Sequence, residues 1–306
     1  MAVQNQIIGR AGSGKTEQGK RHVESWIDRD GVSPASIVCT AFTRAAAQVL
    51  RGRLPIPTQN ATTLNALAYR ALGHFPIAEV DKDLVETWNN EVRHVTEWQI
   101  AGKQKDALED VALSEAPEGG SALERYSLYR ATGQTSLPLW ESVKAFAVRW
   151  EDFKLRTGSI DFQDMITYAL RDTDACPGDP ECFVVDEAQD LQPSHWALAE
   201  KWGAAAPYRF VAMGDPAQTL YSWIGANPWH LVNPVPDGGI RVQLSHTYRC
   251  PQKVMAEAEG FLAQHSGGLT DGRAWSTEPR EGGCYDFPVN WQDPGALVAA
   301  AIGHME

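Results

Sequence analysis

Short apolar runs alternate along this chain with longer segments whose apolar positions recur at helical spacing. "QNQII" (4–8), "SIVCT" (36–40), "CFVVD" (182–186), "YRFVAMGD" (208–215) and "RVQLS" (241–245) read as buried strands. Helical patterns follow at about 43–53, 193–202, 216–222 and 251–264. Strands this apolar, alternating with helices, predict an α/β fold: a parallel sheet with helices on both faces. Residues 75–155 break the alternation. They read as helical throughout, interrupted by the polar stretch "SEAPEGGS" (114–121). Within them Leu139, Val143, Phe146, Trp150 and Phe153 step by four and three, which marks a packing stripe rather than a cofactor box. The pattern therefore predicts a helical subdomain inserted into an α/β domain.

Composition narrows the class. The chain has 306 residues, 43% hydrophobic and 22% charged, as expected of a globular protein with ample core. No apolar run is long enough to span a bilayer and no signal peptide is evident, so no membrane partner is expected. Five scattered cysteines without zinc or redox spacing predict reduced thiols and a cytoplasmic setting. Ala, Gly and Trp usage suggests a GC-rich bacterial or phage genome. The net charge of −12 argues against nucleic acid at first sight. However, residues 1–55 hold eight Lys/Arg against four Asp/Glu, which leaves room for a local basic surface.

"GRAGSGKT" (9–16) fits G-x-x-x-x-G-K-[ST] and directly follows the first strand. Gly9, Gly12 and Gly14 let the backbone turn tightly around Ser13, pointing N–H groups at phosphate oxygens. Lys15 would reach the outer phosphates, Thr16 would hold Mg²⁺, and a helix starting near Lys15 would add its positive dipole end. The alternative is a glycine-rich turn that ends in Lys-Thr by chance, an event of roughly one in a hundred in a chain this long. The second half of such a site is "CFVVDEAQD", an apolar strand running into acids. Asp186 at the strand end would face Mg²⁺, and Glu187 would be the general base. Lys15 and Asp186 stand 171 positions apart, which places the helical insertion between the two halves of the site.

Seven segments, taken in order, resemble the N-terminal part of a UvrD/Rep-like superfamily 1 DNA helicase. They are "GRAGSGKT", "TAFTRAAAQVLRGRL", "TTLNALAYRAL", "IDFQDMITYAL", "VVDEAQDLQP", "MGDPAQTLYSWIGA" and "LSHTYRCP". The resemblance implies a RecA-like P-loop NTPase core at 1–74 plus 156–250. It also implies an inserted helical subdomain at 75–155 and the incomplete start of a second RecA-like domain at 251–306. The implied cofactors are ATP and Mg²⁺, and the implied partner is single-stranded DNA or a single-strand/duplex junction. By the same resemblance Gln218 senses the γ-phosphate, Tyr248 stacks on adenine, and Arg249 is an arginine finger. Gln189 links the ATP and DNA sides. Phe42, Tyr221 and Trp223 stack on bases, while Arg44 and Thr63 contact the DNA backbone. Without the family, those three aromatics would sooner be read as core.

The sequence departs from the family pattern at Asn65, Ser222, Ile224 and Thr247. Gln4 and Gln6 are poorly placed to read adenine. Only 57 residues follow Arg249. The expectation is thus a helicase ATPase domain completed by a C-terminal half or by a separate chain. The rivals are a small-molecule kinase and a non-catalytic ATP- or DNA-binding interaction protein.

Overall fold

A computed structural model describes residues 4–103, 121–133, 137–265 and 276–277. It divides into two compact units, 1–244 and 245–306. The first is built on six parallel strands: β1 (Gln4–Ile8), β2 (Ile37–Ala41), β3 (Ala61–Thr63), β4 (Cys182–Asp186), β5 (Arg209–Gly214) and β6 (Arg241–Gln243). Their order across the sheet is β3-β2-β4-β5-β1-β6, and every described pairing is parallel.

Period-two alternation distributes the strand side chains between two helical layers. Phe183, Val185, Phe210 and Ala212 point to one face. There they meet α3 (Leu64–Ala71), α7 (Phe162–Asp172) and α8 (Pro193–Ala205). Cys182, Val184, Val211 and Met213 point to the other, against Val23 and Trp26 of α1 (Lys15–Asp28) and Leu50 of α2 (Arg44–Arg53). Both faces are thus covered, which is why these strands are apolar throughout. The predicted RecA-like α/β architecture is the one observed.

Between α3 and α7 lie α4 (Lys82–Glu91), α5 (Ala122–Thr132) and α6 (Leu137–Thr157). They surround a core of their own in which Val143, Phe146, Trp150 and Phe153 pack around the buried Trp88. The Trp88 and Trp150 rings meet edge-on at 4.8 Å. The side chain of Leu139 and most of the stretch 114–121 lie outside the described residues.

Two local expectations are corrected. Residues 216–222, expected as a helix, form two 3₁₀ turns at Pro216–Gln218 and Ser222–Ile224. Asp215 caps the first through the Ala217 N–H, and left-handed Gly225 (φ 91°) ends the second. Strand β3 was not expected. It is three residues long, too short to show a period, and its last residue is already the N-cap of α3. The short α9 (Trp229–Val232) precedes β6, and the second unit holds β7 (His246–Thr247), α10 (Gln252–His265) and β8 (Ser276–Thr277).

Candidate active site

The carboxyl ends of β1, β4 and β5 meet on one edge of the sheet, where ligands of open α/β sheets bind. Ile8 is level with Gly214, and the Gly9 N–H donates to the Gly214 carbonyl at 3.2 Å. From there the loop 9–14 turns through left-handed Gly12 (φ 70°) and Gly14 (φ 83°) into α1. A Cβ at Gly9 would lie 2.3 Å from the Ser13 hydroxyl, so a side chain there would have to displace that hydroxyl. Lys15 is buried, and its ammonium donates to the carbonyls of Gly9 (2.8 Å) and Arg10 (3.3 Å).

Thr16 donates its hydroxyl to Asp186 Oδ2 at 3.3 Å, joining residues 170 positions apart. Burial, reinforced by neighbouring Glu187, pushes the Asp186 carboxyl up to about 6. Glu187 is half-buried in a left-handed conformation (φ 49°) that only three described non-glycine residues adopt. Its N–H donates to Asp186 Oδ1, and its carboxylate accepts from Gln189 Nε2 at 2.9 Å. Gln189 Oε1 accepts the Asp215 N–H at 3.0 Å, and Asp215 Oδ2 accepts from Gln218 Nε2. A hydroxyl and a carboxylate beside a buried ammonium form a hard oxygen donor pair suited to Mg²⁺, which takes one or two protein ligands together with phosphate oxygens. Residues 12–16, Asp186 and Glu187 are brought together, and Gln189 joins Glu187 to Asp215 and through it to Gln218.

Tyr248 and Arg249 belong to the second unit. There the buried Thr247 hydroxyl accepts the N–H groups of Arg249 and Cys250, and the Tyr248 ring lies 4.4 Å from His246.

The residues expected on the DNA side divide by exposure. Tyr221 and Trp223 are half-buried on the loop after β5, and Arg44 is half-buried at the start of α2. Trp223 borders a cavity of about 400 Å³ that Asn65, Phe162, Gln192 and His195 also line. Phe42 is 3% exposed, packed against His195 (5.5 Å) and Tyr221 (5.7 Å). Its ring supports Tyr221 from beneath and is not open to a base in this structure. Thr63 is fully buried, its hydroxyl capping α3 at the Ala66 N–H, so it does not reach a ligand surface here. Asn65 bonds His195 Nε2 at 2.9 Å, and burial holds His195 down to about 3, a neutral ring.

Sequence reasoning missed Arg10 and Asp215. The first occupies an unspecified position of the glycine-rich motif. The second stands three residues before Gln218 with no role of its own in the sequence, and its buried ion pair with Arg10 (2.9 Å) forms only in the fold.

Fold and site together define a RecA-like P-loop domain. The chain belongs to the UvrD/Rep helicase family: the family's model of the UvrD/REP helicase N-terminal domain matches residues 2–234. Over 98% of its length it is 26% identical to the ATP-dependent DNA helicase UvrD2 of Mycobacterium tuberculosis, covering 47% of that protein. It is 25% identical to the ATP-dependent DNA helicase Rep of Buchnera aphidicola, across 85% of this chain and 43% of Rep. It is 23% identical to the putative ATP-dependent DNA helicase YjcD of Bacillus subtilis, across 83% of this chain and 35% of YjcD. The chain thus spans less than half the length of these curated relatives. No described helix is long and apolar enough to cross a membrane.

Proposed function

We propose that this chain is the ATP-hydrolysing part of a DNA helicase, coupling Mg-ATP turnover to 3′-to-5′ movement on single-stranded DNA and to strand separation. The observation that carries the reading is the joining of Thr16 to Asp186 at 3.3 Å beside the buried Lys15 ammonium, in a chain of this family. In this role Lys15 supplies the charge that clamps the phosphates. Thr16 and Asp186 hold Mg²⁺, which when bound neutralises charge on the phosphate oxygens. Glu187 accepts the proton of the attacking water, Gln218 orients that water, and Arg249 stabilises charge on the transferring phosphoryl group. Tyr248 stacks on adenine.

Single-stranded DNA, or its junction with duplex, is held by Arg44 and by the rings of Tyr221 and Trp223. The working motor includes a second RecA-like domain, from the same polypeptide or a separate chain. Such a motor serves replication or repair in a bacterial or phage-infected cytoplasm.

Two substitutions test the chemistry. Lys15→Ala is expected to abolish most Mg-ATP affinity. Glu187→Gln keeps the shape of the site and is expected to bind normally while hydrolysis falls by about 10²–10⁴. Parent-like phosphate release by both variants would place the chemistry elsewhere.

A further inference from the structure

Arg10 is a long cation in a loop otherwise made of small residues, and it is buried. Its Nη1 donates to Asp215 Oδ1 at 2.9 Å, and Asp215 itself is 1% exposed. The same carboxylate oxygen accepts the Ala217 N–H at 3.1 Å, and Oδ2 accepts Gln218 Nε2 at 2.5 Å. The Asp215 N–H is held by Gln189, whose amide nitrogen donates to Glu187. Asp215 is therefore the point through which the phosphate loop reaches both Gln218 and Glu187.

An ionised carboxylate can only accept hydrogen bonds, so Gln218 must turn its NH₂ toward Asp215. That fixes which end of the amide is which: Gln218 Oε1 is left to accept a hydrogen bond from water, and the second N–H remains for a phosphate oxygen. The arrangement depends on Asp215 staying charged and aimed. A buried carboxylate deprived of its cation is driven toward solvent or another donor.

We propose that Arg10 is a positioning residue for hydrolysis, acting through Asp215 to set the orientation of the Gln218 amide. The proposal rests on the ATP-site reading above. A merely structural Arg10 would affect folding and ATP affinity together. A positioning Arg10 affects the rate at unchanged affinity, and only while Gln218 is present.

The test compares the parent with R10M, R10K, Q218A and the R10M/Q218A double variant. Affinity is read by titration with a fluorescent ATP analogue in Mg²⁺, the rate by single-turnover phosphate release, and folding by thermal unfolding. R10M is expected to bind like the parent and to hydrolyse about 10–100-fold more slowly, the scale of a misplaced catalytic group. R10K, which keeps a cation for Asp215, is expected to recover most of that loss. The double variant is expected to be no slower than Q218A alone. Should R10M not fold, R10Q takes its place in the cycle, because it keeps a donor for Asp215 without the charge. Parent-like turnover by R10M, or losses that multiply in the double variant, would overturn the Arg10 relay while leaving the ATP site standing. A parent that does not bind Mg-ATP would overturn both.

Discussion

Single residues decide what the aromatic side of the site can offer. Phe42, Tyr221 and Trp223 share a neighbourhood, yet Phe42 is buried against His195 and Tyr221, whereas the other two are partly open. Their substitutions should therefore separate. Trp223→Ala is expected to weaken single-stranded DNA binding by about 1–3 kcal/mol with little change in stability. Phe42→Ala is expected to cost about 3–5 kcal/mol of folding stability, the scale for emptying a packed aromatic site. Fluorescence titration with an oligonucleotide and denaturant unfolding check the pair. Equal DNA affinity for Trp223→Ala would return that ring to the core. The sequence names aromatic residues but does not say which ring lies over which, because that depends on His195, 153 positions from Phe42 in the chain.

At the scale of elements, legibility followed period and length. Strands β1 and β4 match their expected spans, because apolar runs bounded by a glycine-rich loop or by acids have sharp ends. Strand β3 and the turns at 216–224 did not show, because three-residue elements are set by their neighbours rather than by a repeat. Motif spacing brought Thr16, Asp186 and Glu187 into view, whereas the Arg10–Asp215 pair forms only once β1 and β5 lie side by side.

The turn Ala188–Asp190 after β4 carries a testable consequence. Burial, with Glu187 adding to it, pushes the Asp190 carboxyl up to about 7, although its acceptance of the Leu220 N–H opposes this. An unfolded aspartate titrates near 4, so between about pH 4 and pH 7 the native state binds more protons than the unfolded one. The stability from this group is full below about pH 4 and is lost as pH rises through about 7. Asp190→Asn keeps an oxygen for Leu220 and removes the titration. Its melting temperature relative to the parent is expected to rise from about pH 5 to about pH 8. A constant difference across that range would mean Asp190 ionises freely.

Across the first unit, the inserted helices are tied to the sheet domain by a buried charge cluster. Arg130 of α5 donates to Asp161 (2.5 Å) and Asp164 (2.7 Å) at the start of α7. Lys154 of α6 reaches both aspartates and also Glu151, and Trp150 donates its indole N–H to Asp161 at 2.8 Å. Oxygens of Glu151, Asp161 and Asp164 lie within 4.8 Å of one another, a spacing that could hold a metal ion, but all three already pair with both the Lys154 ammonium and the Arg130 guanidinium. Arg130 and Lys154 hold Asp161 well below the usual carboxylate range against the cost of its burial, while that same burial and the Asp161 charge push Asp164 up to about 6. The last turn of α5 also touches the Trp223 loop, because a Cβ on Gly225 would come within 2.3 Å of Thr132. One helix therefore contacts both the cluster and the candidate DNA surface. Arg130→Met removes one cation from a buried network, and the expected loss is about 3–5 kcal/mol, since the aspartates remain buried with half their compensation. Denaturant unfolding measures it. If the cluster is what seats α5, the same substitution also weakens single-stranded DNA binding under conditions where the protein stays folded, while Mg-ATP affinity is unchanged. Loss of stability with parent-like DNA affinity would confine the cluster to holding the fold and separate it from the surface carrying Trp223.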